Sequence, residues 1–440
     1  MFGISVRVKN IMKTNSNKTM MQLLNQLWPL HRTINSDDLD KAFKLCDSYI
    51  KNGSLTMHNY KPGRDVLSWI VPPRYHVHNA WLEIDGNRVA DFEKNSLHLL
   101  SYSMPKKITG KLKDIKKNIW TSKKRPDAIP WEFKYYERSW GFCMPHNELI
   151  KYKDSSKVEG LIDVSFGDEP MRVGEYYIKG ETSQDILFMT NICHPNQVND
   201  SISGLVVALE FANKLSLRKK SKYGLRVLVV PETIGTVAWF AENNDKVKNI
   251  KYAWFCEMVG HQNSFILQKS FQGDSQIDRA FLLAMKVYSK NKKPRTGKFR
   301  TVVASDEVVS NGPGYNIPSP SITRWPYDEY HTSDDNPKII KNKNLEQTVA
   351  LLDEVWKIIN ASYTPKRKFK GPLMLSRYGL WVDWRENKEL NLKTEEIMFM
   401  LEGDKSLIDI AYELDLSFID VKNYVNKMLD KQLVEIVGND

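Results

Sequence analysis

Hydrophobic and polar positions along the chain fall into successive textures. From Leu23 apolar residues recur at helical spacing. They do so again through residues 37–53, where Asp37 or Asp38 is placed to cap a helix and Gly53 to end it. Between residues 66 and 165 the period shortens. Brief β-like runs (VLSWIV, AWLEI, NRVADF, HLLSYS) alternate with turn residues such as Asp85-Gly86-Asn87, which predicts a small β-rich unit. From about 180 to 360, short continuous apolar runs are separated by longer helical stretches: ILFMT (186–190), RVLVV (226–230), YAWFCEMV (252–259), FILQ (265–268) and PSITR (320–324). Fully apolar strands alternating with helices predict an α/β fold, a mixed and mostly parallel sheet with helices on both faces. From residue 371, TEEIMFMLEG, SLIDIAYELDL and SFIDVKNYVNKMLDK predict three short amphipathic helices ahead of a strand-like LVEIV. That is the order of a winged helix-turn-helix.

Composition narrows this picture. With 41% hydrophobic and 27% charged residues, the chain is neither a collagen, a disordered polymer nor a coiled-coil rod. No apolar run approaches the ~18 residues of a transmembrane helix, so no membrane partner is expected. Cys46, Cys143, Cys193 and Cys256 form no CxxC pair. Their scatter excludes a disulfide scaffold and a cysteine-rich zinc knuckle, and suits a cytoplasmic protein. Residues 1–18 carry Arg7, Lys9, Lys13 and Lys18 without the apolar core of a signal peptide, and read as a mobile leader ahead of Met20 or Met21. The net charge of +11 raises nucleic acid as a partner. Its distribution argues otherwise: residues 371–440 are net acidic, and the excess peaks in residues 101–130, where the only acids are Asp114 and Asp127. That lysine-rich stretch is expected to be a solvated helix face or loop, or a field that steers acidic ligands.

Candidate chemistry stands at the strand ends, beyond which ligands bind in open α/β sheets. ILFMT is followed by Asn191, His194 and Asp200; RVLVV by Glu232 and Thr233; the third strand carries Cys256-Glu257; and PSITR leads to Tyr330-His331 and Asp334-Asp335. Taken singly, each has an ordinary reading. His194 suits a core or capping histidine, Asp200 an N-cap, Glu232 a first-turn acid and His331 a surface turn. Glu257 in an apolar strand is harder to dismiss, because an unpaired buried carboxylate is costly. Imidazole and carboxylate at four successive strand ends together point to a metal site, since these are the donors zinc takes. Cys193 and Cys256, beside the proposed ligands, are expected to be packing residues. The aromatic cluster of Trp131, Tyr135, Tyr136 and Trp140 either walls the cleft or fills the core.

With these residues in place the chain resembles the zinc aminopeptidase-like superfamily. It is more closely similar to a bacterial subgroup of zinc peptidases with an aminopeptidase-like domain, found in polysaccharide biosynthesis settings. The motifs that carry the likeness are CHPNQVNDSISG, VPETIGT, PDAIPWEFKYYERSWGFCM and DEYHTSDDNP, and it spans about residues 20–440. The resemblance implies a discontinuous aminopeptidase-like domain (1–65 and 166–370), a protease-associated-like β insert (66–165) and a C-terminal winged helix (371–440). It also implies His194, Asp200, Glu257 and His331 as metal ligands, Asp200 able to bridge two ions, and Glu232 as general base. Two departures stand out. Thr233 occupies the place of a second Glu that would bind a second ion, and Glu257 replaces the usual Asp. One well-held zinc is therefore expected, with a second weak or absent.

The expected reaction is hydrolysis of an amide bond in a peptide or small amide-containing substrate, with zinc activating water and Glu232 moving its proton. Two alternatives keep the fold. One is a mono-zinc acyl transferase or cyclase, in which Ser305-Asp306-Glu307 and the GPGYNIPSPS loop shape the choice. The other is a degenerate peptidase that senses a ligand through its winged helix. DNA is not an expected partner, because the candidate recognition helix 417–430 offers Lys422 and Lys427 but also Asp420 and Asp430. Assembly into a homo-oligomer stays open.

Overall fold

A computed structural model describes residues 18–289 and 293–438. The leader expected before Met20 falls almost wholly outside them. Eight strands build one sheet: β1 (Thr56–Tyr60), β2 (Met171–Ile178), β3 (Asp185–Asn191), β4 (Gly224–Val230), β5 (Ile250–Cys256), β6 (Ile266–Gln268), β7 (Arg295–Gly297) and β8 (Ser321–Thr323). Their order is β1-β2-β4-β3-β5-β8-β6-β7. The centre, β4-β3-β5-β8, is parallel throughout, while β1 and β2 on one side and β6 on the other run antiparallel to their inner neighbours. β3 and β4 are buried at every position, which explains why they read as unbroken apolar runs.

Alternation along these strands feeds two cores. Ile186, Phe188 and Trp254 face helices α1 (Met20–Leu27), α2 (Asp37–Tyr49), α3 (Ile202–Ser216), α5 (Gln276–Met285) and α6 (Asn342–Ala361). Leu187, Met189 and Phe255 face the opposite way, against α4 (Ile234–Glu242) and a four-stranded antiparallel sheet drawn from residues 74–167. Lys106–Lys111 is an edge strand of that second sheet, and only Ile108 in it is buried. The lysine-rich segment is thus only partly what was expected: Lys113, Lys116 and Lys117 lie on short helical turns and Lys123, Lys124 and Arg125 in a loop, but Lys106, Lys107 and Lys111 lie on this strand. Exposed lysines on an edge strand discourage pairing with another chain.

The chain ends in α7 (Lys388–Phe399), α8 (Leu407–Glu413) and α9 (Phe418–Asp430), closed by an antiparallel pair of Thr364–Arg367 with Val434–Val437. α8 packs on α5, where Arg279 pairs with Asp409 at 2.9 Å and Glu413 at 3.3 Å. Several expected boundaries move. HLLSYS is not a strand: it holds the end of a 3-10 turn (Ser96–His98), isolated bridges at Leu99 and Ser101, and Tyr102 at φ +65°, which no strand accommodates. α2 begins after Ser36 and ends at Tyr49. β5 stops at Cys256, so Glu257 starts the following loop.

Candidate metal centre

Four loops leave the carboxyl ends of β3, β4, β5 and β8 on one rim of the sheet, and each delivers a predicted residue. The β3 loop is tightly bound. Asp335 Oδ1 accepts the backbone N–H of Asn199 at 2.7 Å and of Val198 at 3.2 Å, and its Oδ2 accepts that of Asp200 at 3.1 Å. From beneath, Arg32 spends all five of its N–H donors on carbonyls: those of Leu27, Ile192, Cys193, His194 and Gln197, at 2.5–3.0 Å. α3 then starts at once, so Asp200 lies at a helix N-terminus, where a carboxylate is favoured. Gly204 is required there: a Cβ would lie 2.0 Å from the Cys256 carbonyl oxygen, so only glycine lets α3 close on the end of β5. The loops also concentrate backbone strain. His194 (φ +83°), Asn196 (+51°), Thr233 (+58°), Met258 (+51°) and His331 (+54°) all adopt left-handed conformations that cost non-glycine residues energy and cluster at functional sites.

The side chains converge. His331 Nε2 lies 3.1 Å from Asp200 Oδ2, and His194 Nε2 lies 3.8 Å from the same oxygen and 3.5 Å from Glu232 Oε2. Two ligands each ~2.0–2.1 Å from one ion stand about 3.4 Å apart, so this spacing suits a shared cation. His194 and Asp200 are each 3% exposed, whereas His331 and Glu232 each keep 28% of the side chain open to solvent. Glu257 is buried but belongs to neither group of donor atoms that lie within 4.8 Å of one another, and no described residue gives it a hydrogen-bond donor or counter-ion. Burial, then the charges of Asp200 and Glu232, push its carboxyl well up. Glu232 is pushed up to about 8 by burial and by Asp306 and Asp200. Burial also pulls His194 down to about 4, leaving its imidazole neutral and able to donate a lone pair. Asp200 alone stays below the usual carboxylate range: burial opposes ionisation, but His194 and His331 outweigh it. A pocket of imidazole nitrogens and crowded carboxylates is a fit for a divalent cation.

Three further features complete the site, and the first departs from expectation. Cys193 faces the site rather than packing like Cys256. Its Sγ accepts the Glu232 N–H at 3.2 Å and stands with His194 and Glu232 in a second potential ligand group. Trp131, from the β-rich region, does both things expected of its cluster: it is 3% exposed, and its ring lies 4.4 Å from that of His194 and 4.6 Å from that of His331. Its backbone N–H donates to the His331 carbonyl at 2.8 Å. Asp306 accepts the Thr233 N–H at 3.0 Å and fixes the start of α4, while Ser305 donates to Glu232 at 3.3 Å. Nothing in the spacing marks Asp335 apart from Asp334, which instead pairs with Arg125.

The sheet and its rim define an α/β protein of the aminopeptidase-like fold. The crystal structure of BSAP, a zinc aminopeptidase from Bacillus subtilis, superposes with a TM-score of 0.57 at 15% identity, covering 77% of this chain and 92% of that one. The chain itself belongs to the family of the domain of unknown function DUF4910, which matches residues 21–362. Two similarities run almost end to end. A Clostridium acetobutylicum "putative polysaccharide biosynthesis protein with aminopeptidase-like domain" is 30% identical over 433 residues, 96% of this chain and 98% of that protein. The crystal structure of a "putative peptidase" from the same organism superposes with a TM-score of 0.82 at 30% identity, covering 95% of this chain and 96% of that one. No described helix is long and apolar enough to cross a membrane.

Proposed function

We propose that this protein is a zinc-dependent hydrolase of the aminopeptidase type, cleaving an amide bond in a peptide or small amide-bearing compound. The observation that carries the reading is the meeting of His194, Asp200 and His331 donor atoms within 4.8 Å of one another, with Glu232 alongside. His194, Asp200, His331 and the buried Glu257 would hold the ion. Bound there, zinc supplies Lewis-acid polarisation of a carbonyl and activation of water near pH 7. Glu232 faces the opening; a cation beside it would hold its carboxyl ionised, so that it takes the proton of the attacking water and returns it to the leaving amine, a contribution of roughly 10²–10⁴ in rate. Ser305 holds one oxygen of Glu232 and leaves the other for that exchange. Trp131 packs against both histidines and keeps water from their outer faces. Thr233 offers a hydroxyl where a second carboxylate would serve a second ion, so one ion is tightly held.

The same reading takes residues 66–165 as an insert that completes the site and residues 371–440 as a packing unit of a cytoplasmic protein, without DNA contacts. A panel of aminoacyl anilides and N-acyl sugars, offered to zinc-replete protein, tests it. Hydrolysis of at least one is expected, falling about 10²–10⁴-fold in Glu232→Gln while the metal stays bound. Absence of hydrolysis across the panel in zinc-replete protein contradicts it.

A further inference from the structure

A second cavity, of about 520 Å³, opens past the end of β8, between β6, β7 and α6. Arg324, Arg295 and Lys293 line it together with Phe265 and Gln347, and no Asp or Glu among the described residues does. Arg324 is 4% exposed. Its guanidinium donates to the Asn263 carbonyl at 2.6 Å and to Gln347 Oε1 at 3.1 Å, and lies 3.8 Å over the Phe265 ring. Its Nε has no partner. Arg295 likewise donates only to carbonyls, those of Ser264 and Trp325, both at 3.3 Å. Among the described residues neither guanidinium has an acidic partner. Burial draws the Arg324 pKa down to about 10, and Cys256 and Tyr288 offset only part of its desolvation. A buried charge without a counter-ion is expensive unless something else supplies one.

The molecule contains its own control. Arg32 is also buried without an acidic partner in contact, but every one of its N–H groups is used by backbone carbonyls, so it explains itself as a brace. Arg324 spends only two of its N–H groups, on the Asn263 carbonyl and Gln347, and borders a cavity that two further cations also line.

We infer that this cavity is a binding site for a phosphoryl group, held by Arg324 and Arg295 with Lys293 adding charge. Guanidinium forks match phosphate oxygens, and three cations without an acid suit a dianion better than a single carboxylate. The cavity exceeds the volume of the anion itself, so the group arrives on a small molecule. The site is separate from the metal centre and does not depend on the reaction assigned to it.

Calorimetric titration of zinc-replete protein with inorganic phosphate at fixed ionic strength tests this. Arg295→Gln and Lys293→Gln are the informative variants, because both residues are exposed and their loss leaves the core intact. Wild type is expected to bind phosphate, and each variant to bind it at least about ten-fold more weakly, with acetate binding poorly throughout. Equal phosphate affinity in wild type and both variants, or no binding to wild type, overturns the site. Acetate binding as tightly as phosphate overturns the assignment to a phosphoryl group.

Discussion

The acidic pocket around Glu232 and the basic cavity around Arg324 both lie beyond the carboxyl ends of parallel strands, yet they carry opposite imbalances. In the first, Glu232, Glu257 and Asp306 are all pushed above their ordinary range by burial and by neighbouring carboxylates. In the second, two guanidiniums meet only neutral oxygens. Each pocket is unfavourable as protein alone and is rationalised by an ion of the missing sign. The braces differ too. The acidic pocket rests on loops pinned by Arg32 and Asp335, whereas the basic cavity is held by far fewer hydrogen bonds. A rigid support suits a site where donor positions matter to a fraction of an ångström.

Substitutions separate the two. Arg32→Met strands five carbonyls under the His194 loop, and is expected to cost about 3–5 kcal/mol in urea denaturation and to release the metal. Arg324→Met removes an uncompensated charge and is expected to cost far less, near neutral. Equal losses would erase the distinction between brace and ligand. Acid reads the same support next. His31, buried beside Arg32, has its pKa lowered from 6.5 to about 4 by burial, against the pull of Asp38 and Asp37. The unfolded chain therefore takes up this proton before the folded one does. Stability from this group is whole above pH 6.5 and declines as pH falls toward 4, by about 3 kcal/mol in all. A pH series of denaturation midpoints shows it, and His31→Gln is expected to flatten that slope. Gly204→Ala, which sets a methyl against the Cys256 carbonyl, is expected to cost about 1–3 kcal/mol and to weaken metal retention. Arg295→Gln is expected to move stability by less than about 0.5 kcal/mol while still impairing phosphate binding.

Legibility in the sequence followed the same divide. The sheet was readable because β3 and β4 are buried on both faces and so appear as unbroken apolar runs. The convergence of the candidate site was readable because an α/β sheet gathers its strand ends, which brings residues as distant as His194 and His331 to ring centroids 5.9 Å apart. Its supports were not. Arg32 and Asp335 act through backbone contacts that no side-chain pattern encodes, and Cys193 turned toward the site because the strand ends at Asn191 and alternation no longer applies. The basic cavity was invisible for another reason. Lysines and arginines normally face solvent, and the absence of a counter-ion is a property of the folded arrangement alone.

Metal content is the most direct test of the central claim. Zinc measured by plasma emission on purified protein, beside His194→Ala and Asp200→Asn, is expected to show one equivalent in the wild type and a small fraction of that in both variants, with folding preserved by circular dichroism. Undiminished zinc in folded His194→Ala and Asp200→Asn would contradict a cation held between β3, β4, β5 and β8.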